Sequence, residues 1–219
     1  MTESRIEALR RLKVSALTVL PKTNDSNSVL LLIDKTIRIF EINERMNGYL
    51  SGGYYIGYLL LYSQVFEHHI RDIIISSEKY LADNNKLTLL LNRDGKSIDI
   101  TEQTLGKLIQ LLSRYIEYKD LEQSLTDFNK LRKSIVHHLV DDYSRTLSSI
   151  ESQIFQLCST DCMDKVLYSL IEVSRRINDM SMHNLLHANP SMNIDLLQKI
   201  NQTLIKDLNL TSEVITLKL

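Results

Sequence analysis

Apolar residues recur at three- and four-residue steps through most of the chain, a period that predicts amphipathic helices joined by short polar connections. Residues 3 to 20 carry the first such segment, and Pro21 with the polar run KTNDSNS ends it in a loop. A second helix is expected through LLLIDKTIRIFEINERMNGYL, with Leu32, Thr36, Ile39, Asn43 and Met46 near one face, before Ser51, Gly52 and Gly53 break it. The longest amphipathic segment runs from Tyr54 to about Leu81, with Tyr55, Leu59, Tyr62, Phe66, Ile70 and Ile73 at helical steps. Residues 83 to 100, turn-rich around NRDGKSID, read as loop. Thr101 is placed to cap a helix carrying LGKLIQLLSRYI, and Asp120 separates that helix from one running through Leu139. Residues 143 to 158 and 160 to 187 continue the pattern, and Pro190 ends it. A last helix, 193 to 208, precedes the apolar tail VITLKL, which reads as either a short strand or disorder.

The expected class is therefore all-α. Only two Pro and six Gly interrupt the 219 residues, which favours long helices. The formal charge is -1, so no global field points to a nucleic acid or a membrane, and any anion site must be local. Two cysteines make no disulfide framework, and MTESRIEALRRLK lacks the apolar core of a signal peptide, which together place the protein in the cytoplasm. Apolar runs such as IGYLLLY fall far short of the roughly 20 residues that span a bilayer, so no membrane partner is expected. A phosphate-cradling Gly-rich loop, a nucleophile elbow and HExxH are all absent from the sequence, and no cofactor is implied.

The stretch LRKSIVHHLV, residues 131 to 140, carries the chemistry. At about 100° per residue, Leu121, Leu125, Phe128, Ile135, Val136 and Leu139 share roughly one third of the helix circumference, and Arg132 falls among them. Asp127, Lys130, Lys133 and Ser134 lie on the opposite, polar side. A guanidinium in an apolar stripe keeps its charge and needs a carboxylate, carbonyls, a phosphate or a partner chain; Glu67 on the preceding long helix is one such carboxylate. His137 and His138 follow within two turns. A permanent cation beside a group that titrates near neutrality suits phosphodiester cleavage, the cation for charge building on phosphorus and the imidazole for proton movement.

Arg132, Lys133, Ser134, Ile135, Val136 and His137 resemble the arginine, four-residue gap and histidine of the HEPN superfamily, all-helical proteins of toxin–antitoxin, CRISPR and antiphage systems. YLLLYSQVFEHHIRDIIIS is similar to that family's first core helix, and TLGKLIQLL to the segment between the two. The resemblance implies an up-and-down helical bundle over residues 54 to 158, with an N-terminal helical extension at 1 to 50 and C-terminal helices from 160 to 219 packed on the same domain. It also implies a metal-independent endoribonuclease that leaves 2',3'-cyclic phosphate and 5'-hydroxyl ends, with Arg132, His137 and His138 catalytic and an antitoxin or sensor protein as further partner. Active members mostly carry a small polar residue where this chain has Lys133, which favours the alternative of a catalytically inactive dimeric scaffold or partner-binding module.

On one straight helix His137 lies about 140° from Arg132 and His138 about 120°, so neither pair converges within one chain. The resemblance implies a two-fold homodimer whose facing motif helices build one composite cleft, the commonest symmetry for an oligomer. Asn129, one turn before Arg132, is a further candidate for orienting a reacting group. Lys133, Glu67, His68 and Arg71 are candidates to flank the cleft and meet RNA; Glu67 and Arg71 also read as an i,i+4 ion pair. Cys158 and Cys162 with His183 and His187 give a C-x3-C, H-x3-H order that offers an alternative zinc site, although CSTDC reads as a helix junction and buried cysteines as ordinary core.

Overall fold

The computed structural model describes residues 5–19, 24–138, 146–159, 162–188 and 216–219; for His137, His138, Cys158, Cys162, His183 and His187 the description is of the backbone alone. The described residues are mostly helical and fall into two compact units. One holds α1 (Arg5–Val19) and α2 (Asn24–Ser51). The other holds α3 (Tyr55–Asp83), α4 (Leu105–Leu112), β1 (Ile116–Glu117), α5 (Lys119–His138), α6 (Leu147–Ser159), α7 (Cys162–Ala188) and β2 (Thr216–Leu217). No helix among the described residues is long and apolar enough to cross a membrane.

In the first unit α1 and α2 pack antiparallel, Arg10 reaching Glu41 at 2.9 Å and Lys13 reaching Asp34 at 2.8 Å. Ile6, Leu9 and Ala16 are buried, as are Ile33, Ile37, Phe40 and Met46. Of the face expected on α2, Met46 is buried, and the side chains of Leu32, Thr36, Ile39 and Asn43 lie outside the described residues. The helix starts at Asn24, inside the run expected to be loop. Asn, Asp and Ser suit a helix N-terminus, so the polar run becomes the first turn of α2 rather than a linker. The break at residues 51 to 53 stands: Gly52 donates to Gly48 O at 3.0 Å, and Gly53 takes φ +77°.

The second unit is organised on α3. Its buried positions Tyr58, Leu59, Tyr62, Phe66, Ile70, Ile73, Ile74 and Leu81 keep the helical step along one side. The aromatic rings form a ladder, with Tyr58 to Tyr62 at 4.7 Å, Tyr62 to Phe66 at 5.4 Å, and Phe66 edge-on to Phe128 of α5 at 4.9 Å. Burial of the Tyr62 phenol and its bond to Asp164 Oδ1 at 3.0 Å tie α3 to α7 and push the hydroxyl well above the usual tyrosine range. At the end of α3, Asn85 has φ +55° while Lys86 N–H donates to Leu81 O at 2.8 Å and Asn85 N–H to Ala82 O at 3.0 Å, a Schellman closure.

The loop after α3 is fastened by α3 itself. Glu78 accepts Leu89 N–H at 2.8 Å, Tyr115 O–H at 2.6 Å and the Thr88 hydroxyl. Burial and the Glu78 bond push the Tyr115 hydroxyl up. Thr101 does not cap α4. Its N–H and hydroxyl both donate to Asp99 Oδ1, at 2.8 and 2.6 Å, which holds the Asp99 carboxyl below its usual range, and Thr104 takes the N-cap position without a side-chain cap bond. Nor do Tyr115 and Ile116 extend that helix. Both are buried, and Ile116–Glu117 pairs antiparallel with Thr216–Leu217, so part of the VITLKL tail is a strand.

Candidate functional site

α5 presents Leu121, Leu125, Phe128 and Ile135 to the core, each at most 3% exposed. Arg132 lies at the margin of that stripe, its side chain 23% exposed. Val136, expected within the stripe, is 46% exposed, so the buried face closes between Ile135 and Val136. Leu139 falls outside the described residues. Helix α5 is unbroken through His138, so the roughly 140° between Arg132 and His137 about its axis holds in the folded chain.

The Arg132 guanidinium reaches Glu67 Oε1 at 3.8 Å and donates from Nη1 to Asn129 Oδ1 at 3.3 Å. Both contacts are long for charge-assisted bonds, which favour about 2.7–2.9 Å. Glu67 is shared, because Arg71 meets its other oxygen at 3.5 Å. The two arginines differ in how firmly they are held. Arg71 also donates to Ile100 O at 3.2 Å and Gln103 O at 3.0 Å, so it staples the loop before α4 onto α3. Arg132 has no backbone acceptor among the described residues. One carboxylate facing two guanidinium groups leaves a net positive cluster. His68 projects outward, 63% exposed, with Asp72 at 3.5 Å.

A groove of about 310 Å³ runs between α4 and α5, lined by Thr104, Gly106, Lys107, Thr126, Asn129 and Lys133 among others. Asn129 is only 8% exposed. Its amide orientation follows from Arg132: a guanidinium only donates, so Oδ1 faces it and Nδ2 turns to α4. A Cβ at Gly106 would sit 2.9 Å from Asn129 Nδ2 and 3.5 Å from Lys133 Nζ. Glycine is what permits this approach.

The structure thus brings Glu67, Arg71, Asn129 and Arg132 together, sets Lys133 on the adjoining groove and places His68 one turn from Arg71 on α3. For the zinc alternative, Cys158 belongs to α6 and Cys162 opens α7, so the cysteines do not share a helix; His183 and His187 both lie on α7, and the four side chains lie outside the described residues. Among the described residues no cluster of three His, Cys, Asp or Glu has metal-binding geometry. Gly106, Thr104 and Lys107 were not singled out in the sequence; the glycine inside the apolar run TLGKLIQLL was the available signal. Compared with protein-family models, curated proteins and solved structures, the chain matches none.

Proposed function

We propose that this chain is a HEPN-like endoribonuclease of the cytoplasm, acting as a two-fold homodimer on RNA without a metal or cofactor. The observation that carries the proposal is the weak tethering of Arg132: a half-buried cation, held among the described residues by contacts of 3.8 and 3.3 Å, on the same continuous helix as His137 and His138. A guanidinium with donors to spare at a partly desolvated site is suited to an oxyanion.

In this reading the RNA 2'-hydroxyl attacks the adjacent phosphorus while His137 accepts its proton. The bond to the 5'-oxygen breaks, that oxygen takes a proton from the protonated His137, and 2',3'-cyclic phosphate and 5'-hydroxyl ends remain. Arg132 stabilises the charge on the phosphoryl oxygens, and His138 orients His137 or replaces it. Asn129 orients the guanidinium by accepting its N–H. Glu67 and Arg71 position the site, while Lys133 and His68 meet the RNA backbone. An antitoxin or sensor subunit would hold the activity in check.

A second reading has its own support. Lys133 after Arg132 and the Glu67–Arg132 ion pair suit a catalytically silent dimeric scaffold or partner-binding module. RNA cleavage in EDTA by the wild type, beside folded Arg132→Ala and His137→Ala proteins, separates the two. Wild-type cleavage to cyclic phosphate ends, lost in both variants, supports the nuclease. Cleavage by none of the three, on total RNA and with cell extract added, supports the scaffold and overturns the nuclease.

A further inference from the structure

We infer that residues 100 to 106, the stretch that leads into α4, form a positioning element for the Arg132 guanidinium, with Gly106 as its deciding residue. Among the described residues Arg132 bonds to Glu67 and Asn129, and this one stretch holds both of them from behind.

The first route runs through Arg71. Glu67 meets Arg132 with one carboxylate oxygen, at 3.8 Å, and Arg71 Nη2 with the other, at 3.5 Å. Arg71 in turn donates from Nε to Ile100 O at 3.2 Å and from Nη2 to Gln103 O at 3.0 Å. Those carbonyls are themselves fixed. Ile100 is buried, Gln103 N–H donates to Ile100 O at 3.3 Å, and the Gln103 side-chain amide donates to Asp99 O at 2.7 Å. A guanidinium is planar with donors in set directions, so two backbone acceptors fix its plane and with it the edge offered to Glu67.

The second route runs through Gly106. Asn129 accepts Arg132 Nη1 with Oδ1 at 3.3 Å, and its other end, Nδ2, lies against Gly106 at the start of α4. A Cβ at Gly106 would stand 2.9 Å from that nitrogen, well inside van der Waals contact. Alanine would therefore push the amide by roughly half an ångström, and the amide, the far end of a flexible side chain, gives way before either backbone does. Lys133 Nζ, at 3.5 Å from the same Cβ, is in ordinary contact and does not block the movement. Turning the amide draws Oδ1 away from a bond that is already long, and hydrogen bonds weaken steeply with poor geometry.

A shift of residues 100 to 106 thus moves both holders of Arg132 at once, although neither Arg71 nor Gly106 bonds to it. Catalytic groups must be held within about 0.5 Å of their productive geometry, so a displacement of this size suffices to misdirect the cation. That consequence for RNA rests on the nuclease reading, whereas the positioning itself does not.

The test is modification of the full chain by phenylglyoxal without RNA, resolved to single arginines by peptide mass spectrometry. Arg71→Lys keeps the charge but lacks the fork that grips two carbonyls, and Gly106→Ala displaces the Asn129 amide. Each should raise the Arg132 modification rate several-fold. Arg114, held by Leu89 O at 2.7 Å and Leu91 O at 2.9 Å in the same unit, is the control and should keep its rate. Asn129→Ala should raise the Arg132 rate as well, and adding Gly106→Ala to it should change nothing further, because no amide is left to displace. An unchanged Arg132 rate in either Gly106→Ala or Arg71→Lys overturns the inference. So do equal rises at Arg132 and Arg114, which mark general loosening, and a further rise when Gly106→Ala joins Asn129→Ala. The readout needs no cleavage: a chain inert toward RNA that shows the expected pattern keeps the inference and loses the nuclease, and a cleaving chain without the pattern does the reverse.

Discussion

Neutralising Glu67 tests whether Arg132 is committed to the fold or available to a ligand. The pair is 3.8 Å apart, which in a medium of effective dielectric about 20 gives a direct attraction of about 4 kcal/mol before any opposing terms. Those terms are substantial. The side chains are 23% and 20% exposed, Arg71 competes for the same carboxylate at 3.5 Å, and the separation is near the limit of an ion pair. A coupling of about 1 kcal/mol is the expected remainder. The assay is a double-mutant cycle in urea with Glu67→Gln, Arg132→Gln and the double variant, with RNA affinity measured in parallel by filter retention across salt concentrations. Glu67→Gln should tighten RNA binding, since it removes the carboxylate that competes with phosphate for Arg132, whereas Arg132→Gln should weaken it and lower the salt slope by about 1. A coupling of about 3 kcal/mol or more would mark a pair fixed in the fold. Together with RNA binding indifferent to both substitutions, it would refute the argument from weak tethering.

Glu172 should make the protein acid-sensitive. It is 6% exposed; burial alone would raise its carboxyl, but hydrogen bonds from Arg175 and Arg176 outweigh burial and hold it below the usual range. A lowered folded-state value means the stabilisation is fully present above the unfolded-state value, about 4.3, and is lost as pH falls through the folded one. Glu172→Gln should therefore lose stability at neutral pH and show a shallower acid limb in urea unfolding followed by circular dichroism; parallel wild-type and variant limbs would contradict this. Asn85→Gly should stabilise the chain by about 0.5 kcal/mol, because φ +55° suits glycine better than asparagine at this closure. A fall in melting temperature would show that the asparagine side chain contributes more than its backbone strain costs.

The apolar stripe of α3 was legible because one side of it is buried along its length, so burial and helical period coincide at Leu59, Tyr62, Phe66, Ile70 and Ile73. The helical class followed from the same periodicity in the other segments. Where local and tertiary signals diverge, the sequence misled. Thr101 has the chemistry of a cap, yet Asp99, two residues earlier, takes both its donors. Ile116 reads as the end of a helix until the distant segment Thr216–Leu217 pairs with Ile116–Glu117, a register that no local pattern encodes. Arg132 was identifiable as an anomaly, and Glu67 as a carboxylate able to answer it. The Asn129–Gly106 approach was not, because a glycine in the first turn of a helix announces close packing without naming the partner.

The unbroken course of α5 gives the nuclease proposal its sharpest consequence. Arg132 and His137 are five residues apart on one continuous helix, about 140° round its axis, so they cannot both face one phosphate within a protomer. On the nuclease proposal the productive pair is formed across the two-fold axis, the arginine of one chain with the histidine of its partner. Arg132→Ala and His137→Ala proteins would each be inactive alone. In a mixed dimer the first contributes an intact histidine and the second an intact arginine, which restores one pair in trans and none in cis. After unfolding and refolding at equal concentrations, half of the dimers would be mixed, each with one of its two trans pairs, so about a quarter of the wild-type rate should return. A double variant carrying both substitutions, refolded with wild type, supplies the control: its mixed dimers keep only a cis pair and should add nothing. Recovery in that control without recovery between the single variants would place both residues in one chain, and the weakly held Arg132 would then need an explanation other than a shared cleft.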